Sequence, residues 1–143
     1  MQTTLTKIYP AQVNKLPAIR QFVYDQASSL KADQELLSDM IVAVNEIVTN
    51  IVVHGYDCQA GEIRLSVHQD QGSLVVQIDD NAPCFDPTLL EPPDITLPLN
   101  KRPLGKMGIF LARQLVDEVI YQPFPKTGNR LTLIKHHMIA WEA

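Results

Sequence analysis

The segment Val44–Tyr56 has the sequence VNEIVTNIVVHGY, an apolar run interrupted by polar residues at a regular interval. Glu46, Asn50 and His54 are each four residues apart, so in a helix they stack on one face. Isoleucines and valines fill most of the remaining circumference, as in a largely buried helix. A carboxylate, a carboxamide and an imidazole on such a helix need partners. The segment therefore predicts a core helix whose polar face is satisfied by protein groups or by a ligand.

Length and composition are those of one globular domain covering residues 1–143. The formal net charge of −4 at pH 7 argues against direct nucleic-acid binding, because neutralising phosphates requires a concentrated lysine and arginine surface. The N-terminus lacks the layout of a signal peptide, and no apolar run approaches the ~20 residues that span a bilayer. We therefore expect a cytoplasmic protein without membrane association, in which Cys58 and Cys84 are free thiols.

The periodicity of apolar residues predicts three helices and five strands. The helices are Ala11–Ser29, with a start that Pro17 kinks or delays, Gln34–His54, which Gly55 ends, and Gly105–Asp117, with Leu111 on its apolar side. The strands are Thr4–Tyr9, stopped by Pro10; Ile63–His68 and Leu74–Ile78, joined by a turn at Asp70–Gly72; Glu118–Gln122; and Asn129–Lys135, with Leu131, Leu133 and His137 on one face. Hairpin-linked strands with helices between them favour an α+β fold, a two-layer sandwich of one mostly antiparallel sheet with helices on one face.

The region Asp79–Pro103 interrupts this pattern. It holds six of the ten prolines of the chain, and proline cannot donate a hydrogen bond to a helix or a sheet. A loop of this length inside a compact domain is usually functional or mobile.

Two further motifs carry chemical groups at element ends. Asp79 and Asp80 close a predicted strand, where a carboxylate either starts a turn or accepts a hydrogen bond from an exocyclic amine such as that of adenine. Gly105 and Gly108 open a predicted helix, where they are ordinary helix-start residues or let backbone N–H groups approach an anion. Each motif alone has an ordinary structural explanation, and their order along the chain is what indicates a function.

The ordered set resembles the GHKL ATPase/kinase superfamily, and in full it is similar to the anti-sigma-factor branch, the small serine/threonine kinases that phosphorylate their own antagonists. The resemblance runs from about Gln34 to Lys135. The matching blocks are NEIVTN at 45–50 continuing to HGY at 54–56, DNAPCFDP at 80–87, GKMGIFLARQLVDEVIY at 105–121 and NRLTL at 129–133.

The resemblance implies a role for each matched residue. Glu46 is the general base that deprotonates the attacking hydroxyl, and Asn50 binds both the nucleotide and its Mg²⁺. Asp80 accepts from the adenine amine. The remaining implied contacts are Ala82 and Thr132 near adenine, and Gly105, Lys106, Met107 and Gly108 at the phosphates. His54 supports the helix end.

Two positions depart from the branch pattern. Ala82 stands where the family often has glycine, and Lys106 stands where a second glycine often follows the first. Lysine lacks the backbone freedom of glycine, although its ammonium group can pair with a phosphate.

The resemblance thus implies a GHKL (Bergerat) fold with a mobile ATP lid, ATP and Mg²⁺ as cofactors, and an anti-sigma-factor serine/threonine kinase. Its partners would be a sigma factor and an antagonist that it phosphorylates, and the branch suggests a homodimer. The alternatives are a non-catalytic ATP-dependent binding module, the catalytic domain of a two-component histidine kinase and a plain structural α+β domain. The histidine kinase is disfavoured because we find no preceding helical segment with a phospho-accepting histidine.

Overall fold

Five strands form one antiparallel sheet in the computed structural model, which describes residues 5–89, 96–98 and 106–140. The strands are β1 (Thr6–Pro10), β2 (Glu62–Asp70), β3 (Ser73–Asp80), β4 (Glu118–Pro123) and β5 (Asn129–Lys135). Their order across the sheet is β1-β2-β3-β5-β4, and every neighbouring pair is antiparallel. The late strand β5 therefore lies beside the central strand β3.

The β2–β3 hairpin sets which residues face which side of the sheet. Its two turn residues, Gln71 and Gly72, both have positive φ (50° and 87°), the conformation that matches the natural twist of a two-residue hairpin. The resulting register pairs Asp70 with Ser73 and Ile63 with Asp80. Because side chains alternate along a strand, Asp79 and Asp80 point to opposite faces.

The described part of the chain has three α-helices, which pack on one face of this sheet. They are α1 (Leu16–Ser29), which follows a short 3-10 turn at Val13–Lys15, α2 (Gln34–Asn50), and α3 (Lys106–Leu115). Asp33 caps α2, since its Oδ1 accepts hydrogen bonds from the N–H groups of Glu35 (2.9 Å) and Leu36 (3.4 Å). A π-helical turn at Ile51–Gly55 continues α2 without a break.

The core lies between the sheet and helix α2. The helix buries Leu37, Met40, Ala43, Val44, Ile47 and Val48. The sheet contributes alternate residues of β2, β3 and β5, which are Ile63, Leu65, Val67, Leu74, Val76, Ile78, Leu131 and Leu133. The opposite face of the sheet is largely polar. There Arg130 forms a two-pronged ion pair with Asp79 at 2.9 and 3.0 Å.

The helical segment Gln34–Gly55 has 22 residues and a mean hydropathy of 1.7, so by length and composition it could cross a membrane. The expectation that no segment reaches that length was therefore wrong. The π-helical turn extends the helix through His54 to Gly55, and the polar residues are too few to lower its mean hydropathy. Burial against the sheet accounts for this apolarity, as it does for many core helices.

Several element ends differ from the predicted ones. Pro10 is the last residue of β1, not its stop, because an edge strand tolerates a proline. Pro17 lies in the first turn of α1, where its missing N–H is not needed, so the α-helix starts at Leu16. The prediction that Leu111 lies on the apolar side of α3 was wrong: Ile109 and Ala112 form the buried face, and Leu111 is 39% exposed. His137 lies beyond β5 with φ 58° and does not share the strand face. Thr4 and residues 90–95 and 99–103 of the predicted loop lie outside the described residues.

Replacing Ile47 with alanine should lower the free energy of unfolding by about 2–5 kcal/mol, because it leaves a cavity in the core. Ile47 is only 1% exposed, whereas Val42, on the same helix, is 40% exposed. Val42→Ala should therefore change stability by less than about 0.5 kcal/mol. Urea unfolding of both variants measures the difference. Equal effects would contradict the burial of this helix face.

Candidate functional site

Two adjoining cavities open between α2, the end of the sheet and the start of α3, and they share the side chains of Asn50 and His54 as a wall. The larger has a volume of about 320 Å³. It is lined by Asn50, His54, Gly55, Asp80, Ala82, Pro83, Cys84, Phe85, Pro87, Asn129 and Leu131. The smaller, of about 190 Å³, is lined by Glu46, Thr49, Asn50, Val53, His54 and Gly108.

Asp80 is the buried acidic group of the larger cavity, with 2% of the residue exposed. It is the last residue of β3, and the strand alternation turns it toward the helix layer. Its Oδ1 accepts the backbone N–H of Ala82 and the side-chain amide of Asn129, both at 2.9 Å. Among the described residues, Oδ1 accepts both hydrogen bonds made to this carboxylate, so Oδ2 is available to another donor.

Burial raises the pKa of Asp80, and the hydrogen bonds from Asn129 and Ala82 and the nearby Arg64 charge oppose that rise. The neighbouring Asp79 adds to it in a minor way. The physical cause is the loss of hydration of a carboxylate in a mostly apolar cavity. Such a group is stabilised by a ligand that donates a hydrogen bond to it.

Asn129 connects Asp80 to the loop that follows β3. Its amide nitrogen donates to Asp80 Oδ1 (2.9 Å) and to the carbonyls of Pro83 (3.1 Å) and Ala82 (3.4 Å). Its Oδ1 accepts the N–H of Phe85 at 2.9 Å and the hydroxyl of Tyr121 at 2.6 Å. Both ends of the buried amide are thus fully used.

The residue before Asn129 is glycine for a steric reason. Gly128 has φ +112°, and a Cβ there would lie 2.7 Å from the backbone oxygen of Asp80. Only glycine combines this backbone conformation with so close an approach. Gly128 therefore lets β5 begin directly against the end of β3.

Tyr56, just after the π-helical turn, ties the end of the α2 segment to the end of β3. Its hydroxyl accepts the backbone N–H of Asn81 at 2.6 Å and donates to the carbonyl of Glu62 at 2.7 Å. Burial raises the pKa of Tyr56, so the phenol stays protonated at neutral pH and keeps both bonds. The backbone after Asp80 is thereby held from the helix side.

Glu46, Asn50 and Gly108 meet in the smaller cavity. A Cβ added at Gly108 would lie 2.6 Å from Oε2 of Glu46, so the glycine gives the carboxylate its space. Gly108 is in the first turn of α3, where backbone N–H groups are free to bind an anion. The arrangement puts a carboxylate, a carboxamide and a helix N-terminus around one small space.

Five of the site residues predicted from the sequence line one or both of the two cavities. They are Glu46, Asn50, Asp80, Ala82 and Gly108. Lys106 and Met107 are the first two residues of α3, and Gly105 lies outside the described residues. Thr132 does not join the site. It is three residues after Asn129 on β5, so it shares the open face with Arg130 and lines neither cavity.

The motifs did not predict that Asn129 and Tyr121 belong to the site. The alternation of β5 contained the signal for the first of them. Leu131 and Leu133 face the core, and a period of two places Asn129 on that same face. Tyr121 carried no signal, because its contact with Asn129 depends on the pairing of β4 with β5.

No cluster of three or more His, Cys, Asp or Glu side chains that could hold a metal ion occurs in the part of the chain that the structure describes. A metal held by Asn50 would therefore have few protein ligands. Magnesium tolerates this arrangement, because it usually keeps several of its waters.

Comparison with known proteins gives the class of this fold and site. Residues 9–135 match the family described as the histidine kinase-like ATPase domain. Serine-protein kinase RsbW from Bacillus thuringiensis (strain Al Hakam) is 29% identical over 114 residues, covering 77% of this chain and 71% of that protein. RsbW from Bacillus anthracis (strain A0248) matches with the same identity and coverage.

A solved structure shares the fold. The crystal structure of the RsbU and RsbW domains of a Mycobacterium tuberculosis protein superposes with a TM-score of 0.66 at 18% identity and covers 99% of this chain. This chain spans 35% of that one, and at this identity the likeness concerns the fold alone.

The chain belongs to the histidine kinase-like ATPase domain family. The resemblance predicted from the motifs is thereby confirmed, as is the α+β class with helices on one face of the sheet. The predicted mostly antiparallel sheet is antiparallel throughout the described strands.

Asp80→Asn should increase the free energy of unfolding at pH 7. The folded-state pKa of Asp80 is raised, so stability from its neutral form is complete below the unfolded pKa and is lost as pH rises through the folded pKa. The gain from asparagine should therefore vanish at acidic pH. Denaturant unfolding between pH 3 and 8 tests this. Asp79→Asn is the control: it makes the same change on the neighbouring residue but breaks the ion pair with Arg130, so it should not raise stability at pH 7. A stability difference between Asp80→Asn and the wild type that stays constant across pH would contradict the raised pKa of Asp80.

Proposed function

We propose that this chain is an ATP-dependent protein serine/threonine kinase that binds a sigma factor and phosphorylates a serine or threonine of its anti-sigma-factor antagonist. The observation that supports it best is the pair of joined cavities, one mainly apolar with the buried acceptor Asp80 and one polar beside a helix N-terminus. The similarity to proteins named serine-protein kinase RsbW supports the choice of reaction. We expect the protein to act in the cytoplasm, where sigma factors are.

The larger cavity fits adenine. Its lining is mainly apolar, which suits a flat aromatic base, and Oδ2 of Asp80 is available to accept the exocyclic amine. Guanine presents a carbonyl at that position, and two acceptors would face each other. The raised pKa of Asp80 indicates a carboxylate that gains stability when such a donor binds.

Asn50 and the start of α3 are placed to receive phosphates. Asn50 belongs to both cavities, so it lies between the proposed base and the polar space beside Glu46. Its carboxamide oxygen is a suitable ligand for Mg²⁺, which would neutralise phosphate charge when bound. The backbone N–H groups of the first turn of α3, including that of Gly108, favour an anion at the same place.

Glu46 is the proposed general base. It is placed to accept the proton of a partner's serine or threonine hydroxyl as that oxygen bonds to the γ-phosphorus. The bond from phosphorus to the β–γ bridging oxygen breaks in the same displacement, and ADP leaves with that electron pair. Positioning and charge neutralisation supply most of the acceleration in reactions of this kind.

The function is tested by capturing partners from the native cytosol with the purified protein, with and without ATP and Mg²⁺. The captured proteins are then incubated with ATP carrying a labelled γ-phosphate, and phosphosites are mapped. A labelled serine or threonine on a captured partner supports the kinase. ATP-dependent capture without label would instead indicate a binding module, and absence of any ATP-induced thermal shift at millimolar nucleotide would overturn ATP binding itself.

Replacing Glu46 with glutamine should reduce phosphotransfer by about 10²–10⁴-fold, the usual contribution of a general base. Nucleotide affinity should change little, because glutamine keeps the size of the side chain beside Gly108. Phosphorylation rates at saturating ATP and ADP affinity by calorimetry measure the two effects separately. Wild-type rates in this variant would refute the role of Glu46.

Asn50→Ala should remove the dependence of ATP affinity on magnesium. For the wild type, Mg²⁺ should tighten ATP binding relative to a solution with chelator, and for the variant the ratio should fall toward one. His54→Ala is the matched control, because His54 lines the same two cavities but carries no proposed metal contact. If Asn50→Ala keeps the wild-type ratio, Asn50 is not a magnesium ligand.

A further inference from the structure

The amide of Asn129 has a fixed orientation. The residue is 5% exposed, and every hydrogen-bonding group of its side chain is used. On one side are the acceptors Asp80 Oδ1 and the carbonyls of Pro83 and Ala82. On the other side are two donors, the N–H of Phe85 and the hydroxyl of Tyr121. Rotating the amide by 180° would set acceptor against acceptor and donor against donor, which a buried site does not tolerate.

The partners of Asn129 all belong to the larger cavity or its immediate support. Asp80, Ala82, Pro83 and Phe85 line that cavity, and Tyr121 braces the amide from β4. One side chain therefore holds both the buried acceptor and the loop segment 83–85, which also lines the cavity. Burial raises the pKa of the Tyr121 phenol, so it remains a donor at neutral pH.

We propose that Asn129 is a positioning residue that selects which oxygen of Asp80 meets the base and couples that choice to the loop segment 83–85. By occupying Oδ1, the amide leaves Oδ2 as the acceptor for an exocyclic amine. By holding the backbone at Pro83 and Phe85, it keeps this part of the cavity lining in place. The inference rests on the proposed function, because it assumes that the cavity receives adenine.

This role makes a distinct prediction for Asn129→Asp. The new carboxylate still accepts from Phe85 and Tyr121, but it meets Asp80 at the place where the amide donated. Two carboxylates in contact cannot both be ionised, so a proton or a shifted side chain replaces the fixed acceptor. The wall should remain in place, while recognition of the base is lost.

The test is ADP and ATP affinity by calorimetry, with phosphotransfer kinetics measured in parallel. Asn129→Asp should weaken both nucleotides at least about 10-fold, which corresponds to the loss of one buried charge-assisted hydrogen bond. The KM for ATP should rise, and kcat should change less than about 3-fold, because Glu46 lies in the other cavity. Asn14→Asp makes the same change on an exposed residue and should leave affinity unchanged within about 2-fold.

Tyr121→Phe covers the case in which Asn129→Asp does not fold. It removes only the hydroxyl that orients the amide, and it should weaken ADP binding about 2- to 10-fold. It should also speed hydrogen exchange at the amide of Phe85, measured without nucleotide. Wild-type affinity and wild-type exchange in this variant, or wild-type affinity in a folded Asn129→Asp, would overturn the inference.

The outcomes separate this inference from the proposed kinase. If the wild type binds ADP, Asn129→Asp binds it weakly and no partner is phosphorylated, the positioning role stands and the kinase fails. If phosphorylation occurs and Asn129→Asp matches the wild type in affinity and KM, the kinase stands and the positioning role fails. A wild type that binds no adenine nucleotide overturns both.

Discussion

The site depends on the burial of one carboxylate at the end of a strand. Asp80 is 2% exposed in a mostly apolar cavity, and such a group needs fixed donors to remain in the fold. Asn129 and the N–H of Ala82 supply them through a single oxygen. The need to bring those donors together accounts for the close approach of β5 to β3 at Gly128 and for the bracing hydroxyl of Tyr121.

Helix α2 contributes both to the core and to the site. It must bury an apolar face against the sheet, yet Glu46 and Asn50 project from it beside that core. The π-helical turn at its end continues the helix to Tyr56, which fixes the backbone after Asp80. π-helical turns recur at functional sites. This one lies where the buried core helix gives way to residues that line the cavity.

The two cavities suit different parts of one ligand. The mainly apolar one offers the buried carboxylate of Asp80, whereas the polar one offers the carboxylate of Glu46, the carboxamide of Asn50 and the first turn of α3. Their common wall, Asn50 and His54, gives the order in which a base and a charged tail would lie.

The sequence by itself determined the α+β class, the three helices and five strands, and the grouping of Glu46 with Asn50, because these follow from local periodicity. Asp80 and Gly108 were also predicted, since strand ends and helix starts carry short motifs. The alternation of β5 already separates Asn129, on the core face with Leu131 and Leu133, from Thr132 on the other face. Only the tertiary structure decided that Asn129 lies beside Asp80 and meets the hydroxyl of Tyr121. Those contacts depend on the pairing of β5 with β3 and β4, which joins strands that are distant in sequence, and no local pattern records that pairing.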